Sequence, residues 1–342
     1  MKKVFVTGGL GFIGSNLINL LVKKKYHVIN LDKISYASSF YNLKNINRKY
    51  YKFYKGDITN SKLVNKIFKI HRPIALFNIA AETHVDRSID NPKNFITSNI
   101  LGVFNILECV KHYIRNNKKF KMIHISTDEV YGDIKKKYKS KENDKYKPSS
   151  PYSATKAGAD HLINSYVRTY KLPILISNCC NNFGPCQYPE KLIPKTIYSL
   201  ITNKNIPVYG KGINQREWIF VEDHCEGLLR IFKKGKIGES YNIGSNYVLS
   251  NLNLIKKIMK IYYSVYKNKT QKVKIQFVKD RPGHDLRYAL NSNKIKRELK
   301  WKLNTDLNKD LSETIKWYCE NQKFFEKSKR RLFNKRFGLI ND

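Results

Sequence analysis

No stretch of this sequence stays apolar for the roughly 18 residues that a membrane-spanning helix needs, so no transmembrane helix is expected. Cysteine is sparse and unpatterned. Cys109, Cys179, Cys180, Cys186, Cys225 and Cys319 include no C-x-x-C pair and no histidines at ligand spacing. That excludes a zinc module and a disulfide scaffold, and it predicts reduced, mostly buried thiols and no metal. Acidic residues are scarce, 27 against 65 Lys and Arg, for a formal charge of +38. Such a field attracts polyanions. The lysines are nevertheless scattered through every predicted helix and loop, and no helix-turn-helix or zinc finger is present, so no specific nucleic-acid partner is expected. A nucleotide diphosphate would be drawn in by the same field. There is no internal repeat. The 342 residues, 41% of them hydrophobic, suffice for one large domain or two closely joined ones.

Met1-Lys2-Lys3 and the apolar stretch after it superficially resemble a signal peptide. Gly8, Gly9, Gly11 and Gly14 interrupt that stretch, and no small-residue cleavage site follows Leu21. A strand entering a glycine turn accounts for it better, which with the thiols predicts a cytoplasmic protein.

Short apolar runs alternate with amphipathic ones through the first half. Strands are expected at Lys3–Thr7, His27–Leu31, Tyr51–Tyr54, Ala75–Ile79, Met122–Ser126 and Pro173–Ser177. Helices are expected at Ile13–Lys24, Ser61–Ile70, Ile96–Arg115 and Ser153–Tyr170. Strand–helix alternation means βαβ units, hence an α/β fold with a doubly wound parallel sheet. After Asn181, Gly, Pro and aromatic residues crowd Phe183–Pro194 and the strands become short. We expect residues 1–182 to form the sheet domain, with about 213–245 returning to it. Residues 183–320 would form mainly a smaller C-terminal lobe over the sheet's carboxyl edge, and 321–342 a basic, solvated tail. Lys135–Lys147 reads as a solvated lysine-rich loop.

Gly8, Gly11 and Gly14 form G-x-x-G-x-x-G between the first strand and first helix, with Phe12 and Ile13 inside the turn. Gly8 permits the tight turn, Gly11 lets a pyrophosphate approach the helix N-terminus, and Gly14 allows close helix–strand packing. Asp32 ends the second strand at the spacing of a ribose-binding acid. A carboxylate there repels a 2′-phosphate, which selects NAD over NADP, although the adjacent Lys33 would soften the preference. Asp57 and Ile58 sit where adenine would lie. Ile79, Ala80 and Ala81 end the fourth strand with small side chains where a cofactor must pass. Together these features define a Rossmann-type dinucleotide site.

Tyr152 and Lys156 form Y-x-x-x-K, placing both on one helical face. An ammonium beside a phenol lowers the phenol's pKa, so Tyr152 can remove a hydroxyl proton while hydride leaves the same carbon. Thr127, directly after the fifth strand, can hydrogen-bond the reacting hydroxyl. Asp128 and Glu129 follow it. They either face solvent in a turn or act as an acid and a base on neighbouring carbons. Arg216 and Arg281 suit a diphosphate, since guanidinium forks pair with phosphate oxygens.

Six motifs together resemble the dTDP-glucose 4,6-dehydratase family of the extended short-chain dehydrogenases, over nearly the whole length to about residue 320. They are Thr127–Gly132, Ala80–Ser88, Asn181–Pro185, Glu190–Pro194, Arg216–Trp218 and Asp280–Asp285. Epimerases of the superfamily usually lack the Asp-Glu pair after the threonine. The resemblance implies that Tyr152, helped by Lys156 and Thr127, assists C4 oxidation of a nucleotide-linked glucose. Glu129 would then remove the C5 proton while Asp128 protonates the departing 6-hydroxyl, and hydride would return to C6. The product would be a 4-keto-6-deoxy sugar for deoxysugar biosynthesis, as of dTDP-rhamnose. The resemblance also assigns substrate contacts to Thr83, Thr127, Asn181, Lys191, Leu192, Pro207, Val208, Tyr209, Arg216, Asn251, Asp280, Arg281 and His284. Thr83, Ser98 and Asn182 would lie near the cofactor, and a homodimer would form through helices of the cofactor domain. Phe183, Glu217 and Cys180 depart from the family pattern and leave the base open between thymine and uracil. A 4-epimerase and a non-catalytic, nucleic-acid-associated NAD protein are the remaining alternatives.

Overall fold

The computed structural model describes all residues except 118, 267–272, 305, 327–337 and 339–342. Twelve strands are present among the described residues: β1 (Lys3–Thr7), β2 (His27–Asp32), β3 (Tyr51–Lys55), β4 (Ala75–Asn78), β5 (Lys121–Thr127), β6 (Ile174–Cys179), β7 (Asn181–Phe183), β8 (Ile206–Tyr209), β9 (Gln215–Phe220), β10 (Ser240–Ile243), β11 (Val248–Ser250) and β12 (Ile275–Val278). Seven of them form one sheet in the order β10-β6-β5-β4-β1-β2-β3, and every neighbouring pair is parallel. The order reverses beside β1, and the crevice at the carboxyl ends there is where such sheets bind ligands.

Nearly continuous apolar runs in β1, β4, β5 and β6 are what a sheet covered on both faces requires. One face packs against helices Phe12–Lys23 and Val221–Lys234 through Leu17, Leu21, Leu228 and Ile231. The other packs against Ser61–His71, Gly102–Tyr113 and Pro151–Tyr170 through Ile67, Ile106 and Ile163. A separate core underlies the lobe. There β11-β9-β7 and the β12-β8 pair enclose Phe183, Trp218 and Phe220 with helices Leu192–Ile201, Asn251–Val265 and Leu307–Glu320.

Four expectations are corrected. The helix expected at Ile96–Arg115 is a π-helical segment, Ile96–Leu101, running into the α-helix Gly102–Tyr113 and a 3₁₀ turn, Ile114–Asn116. The helix expected from Ser153 begins at Pro151, because Ser150 caps it reciprocally with Ser153. The lysine-rich loop is pinned: Ser140 is buried, Glu142 Oε1 accepts the Asn242 N–H at 2.9 Å, and Tyr146 donates to Asp160 Oδ2 at 3.2 Å. The tail begins inside the lobe, where Phe324 and Phe325 are buried, because their rings find partners in Trp317 and Tyr318. The rest of the tail, Gly338 apart, lies outside the described residues. No helix among the described residues is long and apolar enough to cross a membrane.

Candidate active site

One cleft of about 270 Å³ runs across the carboxyl ends of β1, β2, β4, β5 and β6. Its first half is the glycine turn. Gly8 has φ +73°, and a Cβ there would lie 2.8 Å from Ala80 backbone. At Gly14 a Cβ would meet the Gly8 carbonyl oxygen at 2.2 Å. Both positions exclude a side chain so that β1, β4 and the helix can pack. Gly11 is different: its nearest neighbour would be 3.3 Å away, and it heads helix Phe12–Lys23 with no side-chain cap. The unsatisfied N–H groups of that helix therefore point into the cleft. Thr7 Oγ1 ties β1 to β4 by donating to Asn78 Oδ1 at 2.8 Å and accepting the Ile79 and Ala80 N–H groups.

Asp32 ends β2 on the cleft wall and accepts from the Leu10 N–H, the Ile34 N–H and the Ser38 hydroxyl. Lys33 is held by Ser98 Oγ at 2.9 Å and Glu82 at 3.2 Å, with Asp57 at 3.7 Å. Its charge is thus neutralised locally, which removes the counterweight to Asp32. Phe12, Ile13, Ile58, Ala81, Thr83 and Asn182 also line the cleft. A cradle of open glycine backbone, an uncapped helix N-terminus, a carboxylate at the end of β2 and small residues at the end of β4 fit NAD.

The second half of the cleft holds Thr127, Asp128, Glu129, Tyr152 and Lys156. Thr127 ends β5, and its Oγ1 accepts the Glu129 N–H at 3.3 Å, starting a 3₁₀ turn, Asp128–Tyr131. That turn closes at Gly132 (φ +73°), where a Cβ would meet the Lys147 carbonyl oxygen at 2.0 Å. Asp128 is buried, its Oδ1 accepting from Thr127 Oγ1 at 3.2 Å. Its Oδ2 has no partner among the described residues. Burial, then Glu129 and Glu217, hold the Asp128 carboxyl well above the usual range, against Arg216. Burial raises Glu129 as well, opposed by Arg281, Arg216 and Lys191.

Tyr152 sits in the first turn of helix Pro151–Tyr170, its N–H donating to Ser88 Oγ at 3.1 Å. Lys156 lies one turn on, but its ammonium donates to the Ile125 carbonyl at 2.7 Å and faces His124 Nε2 at 3.3 Å. Burial lowers the Lys156 pKa while Asp160 raises it. Asp160, pushed up to about 6 by burial, accepts from Ser126 Oγ at 2.6 Å. The phenol of Tyr152 is held up, not down as the lysine spacing suggested. Burial, Glu129 and Cys179 raise it, and nearby Thr127 opposes them. The physical reason is that the lysine charge is committed to Ile125 and His124 while two carboxyls stand near the phenol.

The other expected contacts divide. Asn181 and Lys191 line the cleft; Asn181 Oδ1 is buried without a partner among the described residues, and Lys191 donates to the Thr83 carbonyl at 2.9 Å. Arg281 reaches from the lobe to Asp86 Oδ1 at 3.0 Å, and Tyr209 donates to Asp86 Oδ2 at 2.9 Å. Arg216 is buried over the Tyr288 ring at 4.3 Å. His284 Nδ1 lies 2.7 Å from Asp280 Oδ1, and burial takes its pKa down to about 4. Val208 is buried in the lobe core and Leu192 packs on that core, so neither side chain joins the cleft wall. Pro207 lies in β8, paired with Gln276, and Asn251 opens a helix with its N–H on the Asn214 carbonyl; neither lines the cleft.

Sequence reasoning missed Ser35, Ser38, Gln187, Tyr188 and Glu190 on the wall. Glu190 is a hub: it accepts from Tyr36 at 2.8 Å and Arg87 at 3.0 Å, with Arg87 stacked 4.0 Å from the Tyr36 ring. Its position in the Glu190–Pro194 motif was the available signal. Glu217, noted only as a departure, is fully buried and accepts the Asn246 and Leu290 N–H groups at 2.5 and 2.7 Å.

The sheet, glycine cradle and Tyr152–Lys156 helix define a dinucleotide-dependent α/β enzyme of the extended short-chain dehydrogenase class. A family model described as GDP-mannose 4,6 dehydratase matches residues 5–314. A probable dTDP-glucose 4,6-dehydratase of Sinorhizobium fredii is 40% identical over 346 residues, covering 99% of each chain. The solved dTDP-glucose 4,6-dehydratase of Streptomyces venezuelae, with NAD bound, superposes with TM-score 0.88 at 36% identity, covering 95% of this chain and 99% of that one. A UDP-glucose 4-epimerase of Thermotoga maritima shares the fold (TM-score 0.85, covering 94% and 99%) at only 26% identity. The chain belongs to the nucleotide-sugar 4,6-dehydratase family; it is an NAD-dependent hydro-lyase.

Proposed function

We propose that the substrate is dTDP-glucose and the product its 4-keto-6-deoxy derivative. The observation that carries this reading is that Asp128 and Glu129 line the same cleft as Tyr152 and Lys156. An epimerase needs only oxidation and re-reduction at C4, whereas elimination needs a further acid and base at C5 and C6. When bound, NAD accepts hydride from C4 and returns it to C6.

The chain's own groups do the rest. Tyr152 receives the O4 proton, with Thr127 orienting the hydroxyl. Lys156 holds a positive charge at the back of this group, kept by Asp160. The C4 ketone acidifies C5–H, and Glu129, whose carboxylate is favoured by Arg281, Arg216 and Lys191, takes that proton. Asp128, its pKa raised, keeps a proton for the departing O6. Arg216 and Arg281 would meet the diphosphate, with Asn181 and Lys191 at the sugar. Residues 183–320 would serve mainly as the substrate lobe. The thymine reading is supported by the dTDP-glucose 4,6-dehydratase relatives. The reduced thiols fit a cytoplasmic setting. A homodimer would form on the face carrying exposed Ile96, Leu101 and Phe104.

The test is a panel of dTDP-, UDP- and GDP-linked glucose read by product mass. Loss of water from dTDP-glucose fastest is the expected result. A galactose nucleotide without loss of water would replace this reading with epimerisation.

A further inference from the structure

The short helix Val85–Asp90 follows the cleft-lining residues Ala80, Ala81 and Thr83, yet side chains of the lobe hold it. Lys191 donates to the Thr83 carbonyl at 2.9 Å, and Glu190 accepts from Arg87 Nε at 3.0 Å. Asp86 lies between these contacts in sequence and is buried, with 4% of its surface exposed. Each of its carboxylate oxygens has a lobe partner. Oδ1 accepts from Arg281 Nη1 at 3.0 Å, and Oδ2 accepts from the Tyr209 hydroxyl at 2.9 Å. Gly338 packs against the same side chain, where a Cβ would lie 3.0 Å from the Asp86 Cβ.

Arg281 is thereby held at both ends. Its backbone N–H donates to Asp280 Oδ1 at 2.8 Å, the atom that His284 Nδ1 meets at 2.7 Å. Its head is gripped by Asp86 through Nη1. Nε is buried and has no partner among the described residues. A buried, charged donor without an acceptor is costly, and it marks an edge of the guanidinium that a ligand oxygen would satisfy. Phosphate oxygens match that planar edge well. Lys191 and Thr83 line the cleft, and their bond lies close to Asp86 in the chain, so the clamp stands beside the cleft. An arginine that must be ordered as its ligand arrives loses rotamer freedom at that moment, whereas one already clamped does not.

We propose that Asp86 is a positioning residue for the substrate's diphosphate: gripping Arg281 Nη1 from the sheet domain, it holds the Nε edge of a lobe guanidinium in place for a phosphate oxygen. The inference rests on the diphosphate role given to Arg281 above. Asp86 itself touches no substrate atom. Its charge opposes an approaching phosphate, and its hydrogen bonds favour one by ordering Arg281. The ordering prevails, because the carboxylate is already offset by the guanidinium at 3.0 Å and by the Tyr209 donor at 2.9 Å. Asparagine in its place would keep an acceptor for Arg281 and offer Tyr209 a donor without the charge, and alanine would remove both contacts. The two substitutions therefore separate placement from charge.

The test is dTDP binding to the NAD-loaded enzyme by calorimetry, with steady-state kinetics on dTDP-glucose beside it. Asp86→Ala should weaken dTDP about tenfold and raise KM with kcat little changed, while affinity for NAD stays at the parent value. Asp86→Asn should bind dTDP within about threefold of the parent. In an Arg281→Met background, Asp86→Ala should cost nothing further. If Arg281→Met binds dTDP as the parent does, the diphosphate role is lost and the clamp with it. If Arg281→Met weakens dTDP and Asp86→Ala does not, the clamp falls and the diphosphate role stands. Equal losses in Asp86→Asn and Asp86→Ala, or a loss in Asp86→Ala that persists undiminished without Arg281, also overturn the clamp.

Discussion

Asp128, the proposed acid, is a buried carboxyl whose pKa is raised by folding, chiefly through burial. A carboxyl whose pKa rises on folding stabilises the native state only while protonated. That contribution is complete below the unfolded value of 3.8 and is lost as pH rises through the higher folded value. Asp128→Asn keeps the shape and the Thr127 contact but cannot ionise. It should therefore be more stable than the parent at neutral pH, by about 1–3 kcal/mol, with the difference vanishing towards pH 3.8. Thermal unfolding across that range checks it; equal shifts at every pH would mean that the gain does not come from ionisation. Activity should fall in the same variant, since in the proposed mechanism Asp128 is the acid for O6. Membership of the cleft was legible where the residues are local in sequence, as in Thr127-Asp128-Glu129 and the Tyr152–Lys156 pair. It was not legible where partners are distant. Glu190 meets Tyr36 and Arg87 from 154 and 103 residues away. The raised phenol of Tyr152 depends on which atoms Lys156 faces, and spacing alone cannot report that.

At the scale of elements, strand–turn–helix order was readable because hydrophobic period and glycine placement are local signals. The π-helical segment Ile96–Leu101 was not, since it preserves the helical pattern while inserting one extra residue per turn. Its consequence is functional: Asn99 lies on it, donating to Thr155 Oγ1 at 3.0 Å and accepting the Glu82 N–H at 2.9 Å. That ties the turn after β4 to the Tyr152 helix. The start of that helix is the other sensitive point. Ser150 Oγ accepts the Ser153 N–H, Ser153 Oγ accepts the Ser150 N–H, and Pro151 occupies the first turn. Ser150→Ala removes one half of this cap, and about 1 kcal/mol of stability should be lost. Because Tyr152 is in the same turn, kcat should fall more than thermal stability alone explains, with KM for the nucleotide sugar little changed. An equal loss in a variant capped differently, Ser150→Asp, would show that the cap does not position Tyr152.

Across the whole molecule two surfaces remain to be explained. Ile96, Leu101 and Phe104 expose 46%, 52% and 45% of their area along one helix, where single exposed apolar residues would be unremarkable but a row is not. If the proposed homodimer uses this row, replacing Leu101 and Phe104 together with Glu should leave a monomer in sedimentation where the parent is a dimer, and an unchanged mass would count against this interface. The second feature is the charge of +38. Lys191 lines the cleft, and Arg216 and Arg281 act on Glu129 from beside it, so a diphosphate enters a positive region. Fields of this kind accelerate encounter and are screened over about 10 Å at 0.1 M salt. The chemical step occurs between buried groups that salt does not reach. Raising ionic strength from about 0.02 to about 0.5 M should therefore increase KM several-fold while kcat holds steady. A neutral oligosaccharide-like competitor should show no such dependence. If kcat fell in parallel with 1/KM, the charge would be acting on the folded state itself and not on the approach of the substrate.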